Sequence, residues 1–133
     1  MCIRDRLYSL TRAHRTAIKQ FLMDGRRVVG VGNIYASESL FRARIRPNRA
    51  ARRLSTLDCE RLAKSIKQTL RAAIRAGGST LRDFVGADGA AGYFQQRYWV
   101  YDRAGQKCRR CRSVVRKLQQ GQRSTYYCAT CQK

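Results

Sequence analysis

Four of the six cysteines stand as Cys108-x-x-Cys111 and Cys128-x-x-Cys131, with 16 residues between the pairs. Thiolates two residues apart close on one face of a tight knuckle. Two such knuckles supply the four tetrahedral ligands of a structural zinc ion and leave no position for water. The expected role of the ion is mechanical. Two disulfides are the competing reading, but they belong to oxidising compartments. The opening Met1-Cys2-Ile3-Arg4-Asp5-Arg6 has no apolar run of the kind that directs export. Cys59, between Asp58 and Glu60 in a helical pattern, reads as a packing residue, and Cys2 carries no signal.

A second chemistry is written in charge. The 133 residues carry 29 Lys plus Arg against 8 Asp plus Glu, a formal net charge of +21 with His14 neutral. That excess is too large for an enzyme of small metabolites and points to a polyanion, because phosphates exchange their condensed counterions for Lys and Arg. Nucleic acid is the leading partner and an anionic membrane the second. A 44% hydrophobic share suits one modest core or two small ones. No stretch approaches the ~18 apolar residues of a membrane span, so a soluble, intracellular protein is expected.

These groups need elements to position them. Leu7, Leu10, His14, Ala17, Ile18, Phe21 and Leu22 recur at spacings of three and four, which predicts one amphipathic helix ending near Asp24-Gly25. Glycines at 30 and 32 then lead into Asn33, a good N-cap, with a short helix to Arg44. Pro47 interrupts the pattern, and Ser55-Thr56-Leu57-Asp58 resembles a capping box with Asp in place of Glu. The helix it opens has its apolar seam at Leu62, Ile66, Leu70, Ala73 and Ile74, runs about six turns at ~3.6 residues each, and ends at Gly77-Gly78. Residues 77 to 93 read as a long glycine-rich loop, a candidate for holding a ligand. Tyr93, Phe94, Tyr98, Trp99 and Tyr101 suggest an extended piece packed under the last module. There, strands over 113–118 and 124–128 are expected to pair, with 119–123 as their connection. At about 26 residues this hairpin is too small to hold itself together, so metal ligation must supply most of its folding free energy.

The residues resemble the C-terminal half of the formamidopyrimidine-DNA glycosylases, bacterial base-excision repair enzymes for oxidised purines. The most specific pieces are Val29-Gly30-Val31-Gly32-Asn33-Ile34-Tyr35-Ala36, Gly77-Gly78-Ser79-Thr80-Leu81-Arg82-Asp83-Phe84, Asp88-Gly89-x-x-Gly92-Tyr93-Phe94 and Gly121-Gln122-Arg123-Ser124-Thr125, with the cysteine quartet in order after the lesion-loop sequence. The likeness covers about 13 to 133. It implies a mainly α fold: a helix-two-turn-helix domain over 13–92, with a lesion-recognition loop at 77–92, then a zinc-stapled β-hairpin module over 93–133. Residues 1–12 are an atypical start.

The resemblance also implies roles. Asn33 would bind a phosphate beside the extruded nucleotide, helped by N–H groups at a helix start, with simple N-capping as the plainer role. Lys19 would contact phosphate or else lie on a solvated helix face. His14 sits where a basic DNA-contacting residue often stands, although its place on an apolar seam fits a half-buried imidazole better. Arg123 would grip phosphates around the lesion, in a fork that lysine cannot reproduce. The family associates that arginine with δ-elimination, yet a guanidinium of pKa above ~12 is a reluctant acid. Ser79, Thr80, Leu81, Arg82 and Tyr101 match the loop that reads the flipped base. One zinc ion is held by Cys108, Cys111, Cys128 and Cys131.

The same likeness implies a bifunctional glycosylase and abasic-site lyase acting on double-stranded DNA with 8-oxoguanine, formamidopyrimidines or abasic sites, as a monomer in the bacterial cytoplasm with no membrane partner. The family's nucleophile is an N-terminal proline followed by glutamate. This chain begins Met1-Cys2-Ile3, so a truncated or chimeric reading frame, inactive alone, is expected. The alternatives are a stand-alone zinc-dependent nucleic-acid-binding module and a zinc-ribbon RNA or ribosomal protein; the second leaves the lesion-loop sequence unexplained. Two departures from the family stand out: Arg112 follows the second cysteine where glycine is usual, at some conformational cost, and Asp102 stands where glycine is usual after Val-Tyr, which alters that turn without changing the fold.

Overall fold

A computed structural model describes residues 3–24, 32–75 and 98–133. In order, these form α1 (Ile3–Thr11), α2 (Ile18–Met23), α3 (Asn33–Ala43), a 3₁₀ turn (Ala51–Arg53), α4 (Thr56–Arg75), β1 (Arg116–Gln120) and β2 (Arg123–Tyr127). The expected class, a helical domain followed by a zinc-finger hairpin, is what is observed. No helix among the described residues is long and apolar enough to cross a membrane. The glycine-rich loop, Tyr93 and Phe94, and the Gly77-Gly78 stop all lie outside the described residues.

The single N-terminal helix expected from the apolar spacing is two helices. Between them the chain gives up its i→i−4 bonds for partners across the domain. Ala17 bridges Ala50, the Ala51 N–H donates to the Thr16 carbonyl at 2.9 Å, and the Arg52 N–H to the His14 carbonyl at 2.9 Å. Arg12 lies over the Tyr8 ring, 4.0 Å from its centroid, and donates to the Leu54 carbonyl. Both helices face the same core, where Leu7, Ile18, Phe21 and Leu22 are buried. The stripe therefore stays in phase across the break, and periodicity alone could not reveal it.

The capping box is present. The Ser55 hydroxyl accepts the Asp58 N–H at 3.0 Å, and the Asp58 carboxylate accepts the Ser55 N–H at 3.0 Å, satisfying donors that a helix start leaves open. Arg49 and Arg61 pair with the same carboxylate at 3.1 and 2.7 Å. The seam of α4 is buried at Leu62 and packed at Ile66, but Leu70 and Ile74 are exposed. With 20 residues, α4 outruns α1 and α3, which have 9 and 11.

α3 is the joint of the molecule. Leu40 enters the helical core, and the adjacent Phe41 enters a second core with Val100, Val115, Tyr126 and the buried cysteines. Phe41 stacks on Trp99 with centroids 5.2 Å apart. Glu38, one turn earlier, is 4% exposed. Its carboxylate accepts the backbone N–H groups of Trp99 at 2.7 Å, Val100 at 2.9 Å and Tyr101 at 3.0 Å. Burial pushes the Glu38 carboxyl up, while those three N–H groups and Arg42 pull it back. At the other end, Arg44 closes α3 in the left-handed conformation (φ 65°), and the Ile45 N–H returns to the Leu40 carbonyl at 3.0 Å.

The hairpin differs from expectation at its tip. β1 and β2 pair antiparallel from Arg116 with Tyr127 to Gln120 with Arg123, so the connection is the pair Gly121-Gln122. A two-residue turn requires positive φ at its first position, and Gly121 has φ +62°. Arg123 therefore opens β2 instead of lying in the connection. At its base the module is fixed to α3's end by Gln132, which is fully buried: its amide donates to the Ile45 carbonyl and accepts the Cys128 N–H, both at 2.8 Å. Arg46 adds bonds to the Gln132 and Ala129 carbonyls at 3.0 and 2.9 Å.

The Glu38 clamp predicts that Glu38→Gln turns an acceptor into a donor facing buried N–H groups. The variant should lose about 1–3 kcal/mol in urea unfolding, with a change in Trp99 fluorescence. An unaltered midpoint would show that the clamp does not carry the docking.

Candidate nucleic-acid interface and metal centre

The four cysteine Sγ atoms lie within 4.8 Å of one another, with 3.8 Å between Cys108 and Cys131 and 3.4 Å between Cys111 and Cys128. Zn–S bonds of about 2.3 Å at tetrahedral angles require sulfur separations of about 3.8 Å, so the quartet fits one structural zinc. None of these cysteines is in a disulfide. Each knuckle turns a backbone N–H toward its first sulfur, Arg110 to Cys108 and Cys131 to Cys128, both at 3.4 Å. Arg112 sits at φ 68° and Asp102 at φ 60°, the left-handed geometry that favours the glycine they replace. Bound there, zinc supplies the cross-link that a hairpin this small cannot supply from its own core.

A polar cluster joins α2, the start of α3 and β2. Lys19 is 1% exposed, which overturns its reading as a residue of a solvated face. Its ammonium donates to Asn33 Oδ1 and to Thr125 Oγ1, the latter at 2.6 Å. Thr125 in turn donates to Gln120 Oε1 at 2.8 Å, and the Asn33 amide donates to the Ser124 carbonyl at 3.2 Å. Desolvation first, then the positive charge of Arg123, pushes Lys19 down to about 8. Asn33 is not the N-cap; Gly32 is, with no side-chain cap bond. The Asn33 amide is committed to Lys19 and Ser124 instead, so it cannot fold back on its own helix.

Tyr101 belongs to the same neighbourhood. Its ring meets Tyr126 edge-on at 5.2 Å and Tyr98 at 5.6 Å. Burial and Tyr126 push its phenol up, while Arg123 pulls it down. His14 is half-buried on the 12–17 segment, its ring 5.3 Å from that of Phe21, as its apolar position suggested. Ser79, Thr80, Leu81 and Arg82 lie outside the described residues. Thus Lys19, Asn33, Arg123 and Tyr101 come together, and His14 stands on another segment. Sequence reasoning missed Thr125, the second acceptor for Lys19, and Glu38 and Gln132, which dock the module. The only acid of α3, on an otherwise apolar and small-residue stretch with Arg42 one turn on, was the available signal for Glu38. The arrangement sets a buried ammonium, a half-buried amide and a helix N-terminus beside the exposed Arg123 guanidinium, a donor set chemically suited to an oxyanion.

Comparison with known proteins agrees with this architecture. Residues 3–85 match the family described as the formamidopyrimidine-DNA glycosylase H2TH domain, and 105–133 match the zinc finger found in FPG and IleRS. The formamidopyrimidine-DNA glycosylase of Cupriavidus pinatubonensis is 62% identical over 126 residues, 95% of this chain and 44% of that protein. That of Paraburkholderia phymatum is 58% identical over 127 residues, 96% of this chain and 46% of that protein. The crystal structure of the Fpg protein from Thermus thermophilus superposes with a TM-score of 0.85 at 39% identity, over 97% of this chain and 49% of that one. The Lactococcus lactis Fpg in complex with abasic-site DNA gives 0.86 at 33%, over 98% and 48%. The chain thus spans about half the length of the relatives it matches. It belongs to the formamidopyrimidine-DNA glycosylase family, of which it carries the helix-two-turn-helix domain and the zinc finger.

Proposed function

We propose that these residues form the DNA-gripping half of a base-excision repair glycosylase and abasic-site lyase acting on duplexes with oxidised purines. The observation that carries this reading is the joining of Lys19, Asn33 and Thr125, next to Arg123, across three elements. A zinc-stapled hairpin fixes Arg123 relative to the helix start at Asn33, so the two can hold neighbouring phosphates of one strand. Arg123 acts as a phosphate clamp, since its guanidinium is too weak an acid for ready proton donation. By resemblance to the family, Ser79, Thr80, Leu81 and Arg82, with Tyr101, read an extruded base. The helix-two-turn-helix unit runs over 13–92 and the zinc module over 93–133.

In the family the attacking amine is an N-terminal proline, a group these 133 residues do not contain. We infer that these 133 residues, assayed by themselves, bind damaged duplex as a monomer without cutting it, and that the protein works in the bacterial cytoplasm and nucleoid. Likeness to an Fpg solved with abasic-site DNA supports the choice of ligand.

Borohydride trapping of this polypeptide on an 8-oxoguanine duplex should yield no covalent product, while an abasic analogue is bound in preference to intact duplex. A trapped band would overturn the division of labour. Arg123→Ala should weaken binding of the abasic duplex and flatten its salt dependence by about one phosphate contact; unchanged binding would put Arg123 off the interface. The ammonium of Lys19, pushed down to about 8, is charged below that pH and neutral above it. Affinity should therefore fall as pH rises from 7 to about 9, and Lys19→Met should remove the dependence. A wild-type profile flat over that range would exclude Lys19 from phosphate contact.

A further inference from the structure

We propose that a second phosphate-binding cleft lies at the C-terminal end of α3, and that it takes a phosphodiester segment of nucleic acid. The cleft holds about 420 Å³ and is lined by Arg44, Arg49, Arg61, Arg110 and Lys133, with the zinc-knuckle residues Cys111, Thr130 and Cys131 completing the lining. It is distinct from the Asn33 cluster: α3 has 11 residues, which separates its two ends by about 16 Å.

Three features make this a site instead of a scatter of surface charge. Asp58 engages Arg49 and Arg61, and Arg49 also donates to the Lys133 carbonyl at 3.5 Å and the Arg53 carbonyl at 3.2 Å. That fixes one side of the cleft, and Arg44, Arg110 and Lys133 have no carboxylate partner among the described residues. The Arg110 guanidinium lies over Phe41 and Trp99, 4.7 and 5.3 Å from their centroids, which orients its N–H edge at the rim. Arg44 keeps φ 65° at a helix end where glycine would sit without strain. A strained side chain that places an unpaired guanidinium in a cleft is an outlier that points to function. The two guanidinium forks not engaged by Asp58, Arg44 and Arg110, favour phosphodiester oxygens, which accept two parallel N–H bonds.

The rival role for these arginines is to balance the negative charge of the metal-bound thiolates. The proposal rests on the duplex-binding reading above, and one experiment separates the three. Arg44→Gly and Arg112→Gly each remove one positive charge and each give glycine to a left-handed backbone position (φ 65° and 68°), so both should fold at least as well as the parent. Only Arg44 lines the cleft. In titrations of the zinc-loaded chain with undamaged duplex, Arg44→Gly should bind about threefold or more weakly than Arg112→Gly, with the salt slope lower by about one. Equal affinities and slopes overturn the cleft. Faster zinc release to a chelator in Arg44→Gly with unchanged duplex affinity also overturns it, leaving counter-charge as the role. Competition by inorganic phosphate that Arg44→Gly abolishes, again with duplex affinity unchanged, makes it a free-anion site and overturns it too. Should Arg123→Ala bind normally while Arg44→Gly binds weakly, the cleft stands and the Arg123 grip falls.

Discussion

Everything on the binding surface depends on where a very small hairpin is held. The zinc module has too little apolar area to fix its own orientation, and the metal staple sets its internal shape only. Its position comes from one buried carboxylate. Glu38 gathers three consecutive backbone N–H groups, from Trp99 to Tyr101, and so locks the chain entering the module to the middle of α3. Gln132 and Arg46 repeat the device at the exit. With the entry tied to α3 and the exit to the residues just past its end, the far end of the hairpin is brought beside the start of α3, where Thr125 meets Lys19 of α2. Removing a buried charge that satisfies several backbone donors leaves each of them exposed to the full desolvation penalty.

The charge balance sharpens the point. Only 8 acids oppose 29 cations, and two of those acids, Glu38 and Asp58, are buried. Each is placed on backbone N–H groups instead of being left as a solvated counter-charge: Glu38 on the 99–101 segment, Asp58 on the start of α4. The excess positive charge is thereby left to the surface, where it raises association rates with polyanions at the cost of self-repulsion in the folded state. Lys19 is the exception, a cation taken inside and held by two neutral oxygens, which is why desolvation dominates its shift.

Patterns that are local in the chain were legible in the sequence. The cysteine quartet, the Ser55–Asp58 box and the left-handed positions of Arg112 and Asp102 are set within a few residues, and each stands where its motif or its departure from a motif indicated. Readings failed where a distant segment decides the outcome. Residues 12–17 leave the helix because 49–52 offer hydrogen-bond partners far along the chain. Asn33 has the composition of an N-cap, but its amide is taken by a lysine 14 residues earlier and a carbonyl 91 residues later. For Lys19 a solvated face stayed open beside phosphate contact, because neither spacing nor charge registers a hairpin folding over it 106 residues downstream. The tip of the hairpin was misread by two residues because only the strand register tells a two-residue turn at Gly121-Gln122 from a longer connection.

The cluster at the start of α3 keeps donors in reserve. An ammonium has three N–H donors, and Lys19 directs two of them to Asn33 and Thr125. The Asn33 amide has two, of which one goes to Ser124. Among the described residues, one donor on each therefore remains unused, and both belong to side chains already fixed by their other bonds. The first backbone N–H groups of a helix are likewise without intrahelical partners. On the proposed reading, an oxyanion would meet donors whose rotamers are already set, so that the ordering which usually opposes binding by long polar side chains is completed during folding. Arg123 is the one exposed member of the group, and its entropy falls only on contact. On the DNA-gripping reading proposed above, the fixed donors would select the geometry of a phosphate, and the exposed arginine would set how strongly the encounter depends on salt.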